Sequence, residues 1–150
     1  MGELSMSRKE REEFLAETHV GVLSVAEEGG RAPLSIPIWY RYEPGGAVHF
    51  ITDNNSRKAA LMKKAGRATL VAQNETLPYK YVTIEGPITI TREYDRVRDI
   101  DEVAYRYLGR EVGEMYLKSS ADDYAGADNV LVKITPQRWG SADFSKLGLG

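Results

Sequence analysis

AVHFITDNNSRKAALMKK, residues 47–64, is the stretch from which the rest of the chain is read. Val48 and Phe50, with Thr52 at the end, read as an apolar strand that delivers the chain to a polar turn, Asp53-Asn54-Asn55-Ser56. A helix opens directly after it with Arg57 and Lys58. The first backbone N–H groups of a helix have no partner inside it, and the helix dipole places partial positive charge there. Such a junction suits an anion. Ser56 can cap the helix and also offer its hydroxyl to an oxyanion. Two cations in the first turn stand against the dipole, which points to a negative group between them; a phosphate is the expectation. A solvated basic helix start fits the same residue types equally well.

Toward the N-terminus, Glu43-Pro44-Gly45-Gly46 is a hairpin turn. Before it, residues 32–42 (APLSIPIWYRY) read as a strand. Pro33 and Pro37 mark an edge, a bulge or a place where something replaces the ladder partner. Residues 19–26 (HVGVLSVA) form a Val-rich strand expected to be packed on both faces. Ser7-Arg8-Lys9-Glu10 is a capping box that opens a helix to about Glu17, anchored by Phe14 and Leu15. Residues 1–6 are expected to be flexible.

Toward the C-terminus, Gly66 ends the Ser56 helix as a left-handed cap. Residues 67–75 (RATLVAQNE) are a fourth strand, and a Leu77-Pro78 loop leads into a fifth over 79–91. In that strand Val82, Ile84, Ile88 and Ile90 share one parity, and Thr83, Glu85, Thr89 and Thr91 the other. Gly86-Pro87 in its middle marks a bulge or barrel corner. Asp95 caps a helix to about Leu108, a further helix covers 111–118, and 119–128 is loop. Residues 129–135 (NVLVKIT) are a sixth strand, closed by Pro136 and followed by the ordered tail RWGSADFSK. Six strands joined by short turns predict an α+β, mainly β, single domain over 1–150. The expected architecture is an antiparallel barrel with short flanking helices.

Composition narrows the function. A net charge of −2 gives no basic excess for nucleic acid. The chain has no cysteine, which excludes disulfides and thiol chemistry. No apolar run reaches membrane-spanning length and the N-terminus MGELSMSRKE has no apolar core, so the expectation is a cytoplasmic protein without membrane partners. His19 and His49 stand in separate strands without a metal-ligand spacing, and no metal site is expected. Neither a nucleophile elbow nor a glycine-rich phosphate loop occurs. What remains is a site built from strands. It combines the Trp39-Tyr40 rings, the polar and cationic run from Thr52 to Lys58, the long amide of Gln73, and Pro78-Tyr79-Lys80-Tyr81. A large planar heteroaromatic with a phosphate tail needs this mixture of flat walls, a few polar groups and one anion cradle.

ITDNNSRKAALMKKAGRATLVAQNE followed by YVTIEGPITI resembles the central motif of the pyridoxamine-5′-phosphate-oxidase-like family of FMN-binding split β-barrels. The order of elements matches over roughly residues 12 to 140. The resemblance implies a six-stranded split β-barrel and a homodimer with two cofactor sites at the interface. Ser56, Arg57 and Lys58 would bind the cofactor phosphate with Thr52 beside them. Ser35, Ile36 and Pro37 would line the ring, Gln73 would reach it, and Pro78, Tyr79 and Lys80 would come from the partner subunit. Pyridoxamine-phosphate oxidases carry an Arg and a Lys that help hold FMN phosphate on the strand before the motif, which here reads PLSIPIWYR with only Arg41 at its far end. The basic substrate motif near the C-terminus is also missing. RAPLSIPIWY and PYKY look more like the branch that uses the deazaflavin F420.

The resemblance therefore implies an F420-dependent oxidoreductase passing a hydride to a small conjugated substrate, with Tyr79, Lys80 and Tyr40 as candidate proton donors and solvent water as the alternative. FMN in place of F420, giving an oxidase or flavin reductase, is one alternative. A non-catalytic protein that binds flavin, F420 or haem is the other.

Overall fold

The computed structural model describes residues 2–148; Met1, Leu149 and Gly150 lie outside the described residues. In chain order the elements are α1 (Arg8–Ala16), β1 (Gly21–Val25), β2 (Leu34–Ile38), β3 (Arg41–Tyr42), β4 (Val48–Asp53), α2 (Arg57–Ala65), β5 (Arg67–Gln73) and β6 (Lys80–Thr91). A π-helical stretch, Val97–Asp101, runs into α3 (Glu102–Leu108). Next come α4 (Arg110–Ser119), α5 (Ala121–Gly126), β7 (Asn129–Ile134), β8 (Arg138–Asp143) and a closing 3-10 turn, Phe144–Leu147.

β6 is the strand that joins the two halves. Along one edge it pairs antiparallel with β5, Tyr81 opposite Gln73 and Pro87 opposite Arg67. Along the other edge its first half pairs with β8, Lys80 to Glu85 against Asp143 to Arg138. Its second half pairs with β7, Ile88 to Thr91 against Ile134 to Leu131. The change of partner falls at Gly86, where the chain crossing from β7 to β8 presses on the strand. A Cβ on Gly86 would lie 1.7 Å from the Thr135 carbonyl oxygen. Thr135 N donates to Pro87 O (3.1 Å) and Gln137 N to Glu85 O (2.8 Å) on either side of it. The corner expected at Gly86-Pro87 is thus the point where one sheet becomes two.

One sheet runs β2-β1-β5-β6-β8 and the other β3-β4-β7-β6, all neighbours antiparallel. Leu23, Val25, Leu70, Val82 and Ile84 line the inner face of the first, and Val48, Phe50, Val132 and Ile134 that of the second. α1 adds Phe14 and Leu15 to this core, and α2 adds Leu61 and Met62. The fold is an α+β split barrel with helices at its flanks.

Four expectations are corrected. The described residues hold eight strands, not six. The second predicted strand breaks at Trp39-Tyr40 into β2 and β3, because the Tyr40 amide donates to the Tyr107 hydroxyl (3.1 Å) instead of to a strand. The tail read as ordered but strandless supplies β8. The 119–128 loop contains α5. β1 is buried on one face only, since Val22 is 39% exposed. Finally, residues 2–6 are docked rather than loose. Met6 is buried, its amide donates to Ser141 Oγ (2.9 Å), and Asp143 N donates to Leu4 O (2.8 Å). No helix among the described residues is long and apolar enough to cross a membrane.

α3, α4 and α5 form a cap against the outer face of β4. Asp99 ties it down. This buried carboxylate accepts from Arg41 Nη2 of β3 (2.9 Å), from Arg98 (2.9 Å) and from the Asp95 amide (3.0 Å).

Candidate cofactor site

The mouth of α2 is built as the residue types suggested. Asn55 N donates to Asp53 Oδ1 (2.9 Å), which tightens the turn. Ser56 Oγ accepts from Ala59 N (3.2 Å) and lies 3.5 Å from the buried Thr52 hydroxyl. The amides of Arg57 and Lys58 have no acceptor among the described residues, so the anion-binding end of the helix stays open.

The two cations do not act together. Successive helix positions diverge by about 100°. Arg57 turns to Glu27, beyond the end of β1, and forms an ion pair. The hydrogen bond from Arg57 holds the Glu27 carboxyl below the usual carboxylate range. Lys58 turns the other way, into a cavity, and has no hydrogen-bond or ion-pair partner among the described residues. Burial pulls its pKa down, and Asp53 opposes this only in part. An unpaired, half-buried ammonium is costly unless something negative comes to it. That is the observation by which a cofactor phosphate fits this mouth; Arg57 is already satisfied.

The cavity holds about 200 Å3 between β4 and the helical cap. Ile38, Trp39 and Ile51 form the barrel side, and Ile100, Val103, Tyr116 and Tyr124 the cap side. Trp39 stacks on Tyr107 at 5.2 Å and meets Tyr116 at 5.4 Å. The Tyr116 and Tyr124 hydroxyls are 2.9 Å apart, and burial raises the Tyr124 pKa above its ordinary value. His49 and Asp99 supply polar groups to the lining. Burial first, then the Arg41 charge, lower the His49 pKa, so the imidazole is neutral at pH 7.

The remaining predicted residues fall into two places. Ser35 and Pro37 lie on the exposed face of β2, Ser35 Oγ 3.1 Å from Ser24 Oγ, while Ile36 turns inward against the core. Their neighbour Ile38 reaches the chamber. Gln73, Pro78, Tyr79 and Lys80 sit at the other end of the first sheet. There Asn74 clamps the loop, its side chain donating to Pro78 O (3.3 Å) and accepting from Lys80 N (2.8 Å). Gln73, Tyr79 and Lys80 line a separate open cavity of about 520 Å3. Glu27, which holds Arg57, lies past the Val25 end of β1, and Gln73 lies past its Gly21 end. Those ends are about 13 Å apart at the rise of an extended chain. Within one chain, the Thr52 and Ser56 hydroxyls meet at the mouth of α2 and Lys58 turns from it into the chamber, while Gln73, Tyr79 and Lys80 line a separate cavity.

His49, Asp99, Tyr116 and Tyr124 are the lining residues that sequence reasoning missed. Alternation with the inward Val48 and Phe50 already pointed His49 outward. Nothing in the pattern told which helices would cover it.

The chain is similar over its full length to a conserved hypothetical protein of Mycobacterium tuberculosis. The two are 26% identical with a TM-score of 0.78, over 100% of this chain and 92% of that one. A FAD-binding protein of Mesorhizobium loti shares the fold at 16% identity and a TM-score of 0.62, over 91% and 93% of the two chains. An F420 reductase shares it at 20% identity and a TM-score of 0.58, over 86% and 94%. No curated protein matches. A family model described as pyridoxamine 5′-phosphate oxidase matches residues 7–140. With that match spanning nearly all of the split barrel, the chain belongs to the pyridoxamine 5′-phosphate oxidase family.

Proposed function

We propose that this protein is a deazaflavin- or flavin-dependent oxidoreductase, with F420 as the favoured cofactor, that acts on a small conjugated substrate. The observation that carries the reading is Lys58, an unpaired and half-buried cation beside the open amides of α2. Ser56 and Thr52 supply hydroxyls at the mouth of the same helix. The absence of an Arg or Lys from β2 speaks against the full FMN phosphate clamp, and the shared fold with an F420 reductase is consistent with the deazaflavin. The fold is equally shared with a FAD-binding protein, which keeps a flavin as the alternative.

When bound, the reduced ring would supply the hydride. The chain's own part is to hold the phosphate at Ser56 and Lys58, to lay the ring along the end of β2, and to exclude water. Ser35, Ile36 and Pro37 would contribute mainly through backbone groups. Gln73, Pro78, Tyr79 and Lys80 would complete the site only from a second copy, with Tyr79 or Lys80 donating the proton. A homodimer is supported by the apolar residues left bare on the outer face of the first sheet, Val20, Val22 and Tyr81.

Titration of the purified protein with F420 and with FMN, read by fluorescence quenching, tests the reading. Lys58→Ala should weaken binding by about 1.5–3 kcal/mol, the size of one charge-assisted contact. Unchanged affinity would move the cradle elsewhere. Binding without oxidation of the reduced cofactor by any enone or quinone would leave a carrier protein instead.

A further inference from the structure

We propose that the seam where the barrel stays open, between β3 and β8 under α1, binds a small planar monocarboxylate. Its acid group would sit on Arg11 and its apolar body against Tyr42 and Trp139. The seam shares no lining residue with the chamber under the helical cap, and the proposal does not depend on the oxidoreductase reading.

The seam follows from the strand pairing. As strands, β3 pairs with β4 alone and β8 with β6 alone. Across the gap between them the rings of Tyr42 and Trp139 meet edge-on, 6.2 Å apart. α1 lies over the gap and, with the β3–β4 turn and the crossing at Pro136, encloses a cavity of about 400 Å3. Gly45 and Gly46 line it without filling it.

Arg11 supplies the anchor. Its guanidinium carbon stands 4.6 Å from the centre of the Trp139 ring. Its Nε is enclosed and without a partner, whereas its two terminal nitrogens are not enclosed and pair with no carboxylate among the described residues. Stacking on an aromatic face steadies a guanidinium and leaves its N–H edge free. Two terminal nitrogens presented end-on match the two oxygens of a carboxylate through parallel bonds.

The charges around the cavity select a single negative charge. Arg8, Arg11 and Glu12 are the ionised side chains that line it. Glu12 is already taken, 3.6 Å from Arg8 and 3.4 Å from the hydroxyl of the buried Tyr42. That leaves one positive charge to be met. A dianion would bring its second charge against Glu12, where like charges repel.

The walls and the room select the rest of the molecule. Trp139 and Tyr42 offer flat aromatic surface, and Pro136 and Ala47 offer apolar edges. A cavity of about 150 Å3 is known to hold a benzene ring. The volume of about 400 Å3 therefore suits a ring together with its acid group and a further substituent.

The probe is 4-nitrobenzoate, which quenches an indole that it touches, titrated into the protein carrying Trp39→Phe so that Trp139 alone reports. The neutral control of the same shape is 4-nitrobenzamide. The expected result is saturable quenching by the acid, with the amide at least tenfold weaker. Arg11→Met, which keeps the length of the arm without its charge, should lose at least tenfold in affinity for the acid. Arg11→Lys, a point charge without the fork, should recover only part of it. Glu12→Gln removes the competing carboxylate and should bind the acid several-fold more tightly, a test of opposite sign that stands even if Arg11→Met does not fold. Equal quenching by acid and amide, unchanged affinity in Arg11→Met, or no gain in Glu12→Gln overturns the proposal. So does displacement of the probe by inorganic phosphate at a lower concentration than by benzoate, which would mark a phosphate site instead.

Discussion

Asp99 holds the helical cap to the barrel by charge. Burial alone would raise its pKa, but bonds from Arg98, the Asp95 amide and Arg41 outweigh burial and bring it down to about 2. A carboxyl whose pKa is lower folded than unfolded contributes stability above its unfolded value of about 3.8, and that contribution is lost as the pH falls toward 2. Stability to urea should therefore decline over that acid window by roughly 2 kcal/mol on account of this group. In Asp99→Asn that part of the decline should vanish, and stability at pH 7 should fall by about 3 kcal/mol, since two cations would be left without their shared anion. An unaltered acid limb in the variant would show that the cap is held by packing instead. At this scale the sequence is only partly legible. Ser56 as a cap and Gly86 as a corner were readable from their neighbours. That Arg57 is taken up by an ion pair while Lys58 is left without one was not, because it depends on Glu27, thirty residues earlier in the chain.

The elements that local rules govern are the ones that sequence reasoning recovered. The capping box of α1 closes in both directions, Glu10 N donating to Ser7 Oγ (3.1 Å) and Ser7 N to Glu10 Oε1 (2.8 Å). Gly66 ends α2 with φ 71°, a left-handed conformation that suits glycine. β6 shows the alternation read from it, Val82 and Ile84 fully buried. β8 escaped because RWGSAD has neither alternation nor β-branched residues; it is a strand because β6 offers it a free edge and the N-terminal segment covers it. Deleting residues 1–6 should then cost about 2–4 kcal/mol, from the buried Met6 side chain and its neighbouring hydrogen bonds. It should also speed amide exchange in Arg138–Asp143. Exchange and denaturation curves matching the full chain would mean that the segment merely rests on β8.

At the scale of the whole molecule, the first sheet buries one face and leaves the other bare. Val20 is 52% exposed, and Tyr79 and Tyr81 lie along the same side. Gln73 lies past one end of β1 with Tyr79 and Lys80 beside it, and Glu27, the partner of Arg57, lies past the other, so the proposed site would draw them from a second chain. Val22→Asp, a charge in the middle of that face, should give a monomer by sedimentation velocity and weaken F420 or FMN binding at least tenfold. A dimer that survives with full affinity would place the interface elsewhere. The sequence by itself determined the barrel class, the strand–turn–helix that forms the anion mouth, and the corner at Gly86, because strand alternation, capping and close backbone approach act within a few residues. Tertiary structure alone decided which cation is left free, that β8 exists, and that His49 faces a chamber under α3, α4 and α5. Those outcomes depend on which distant surfaces meet, and no local pattern encodes the partner that a side chain will find across the fold.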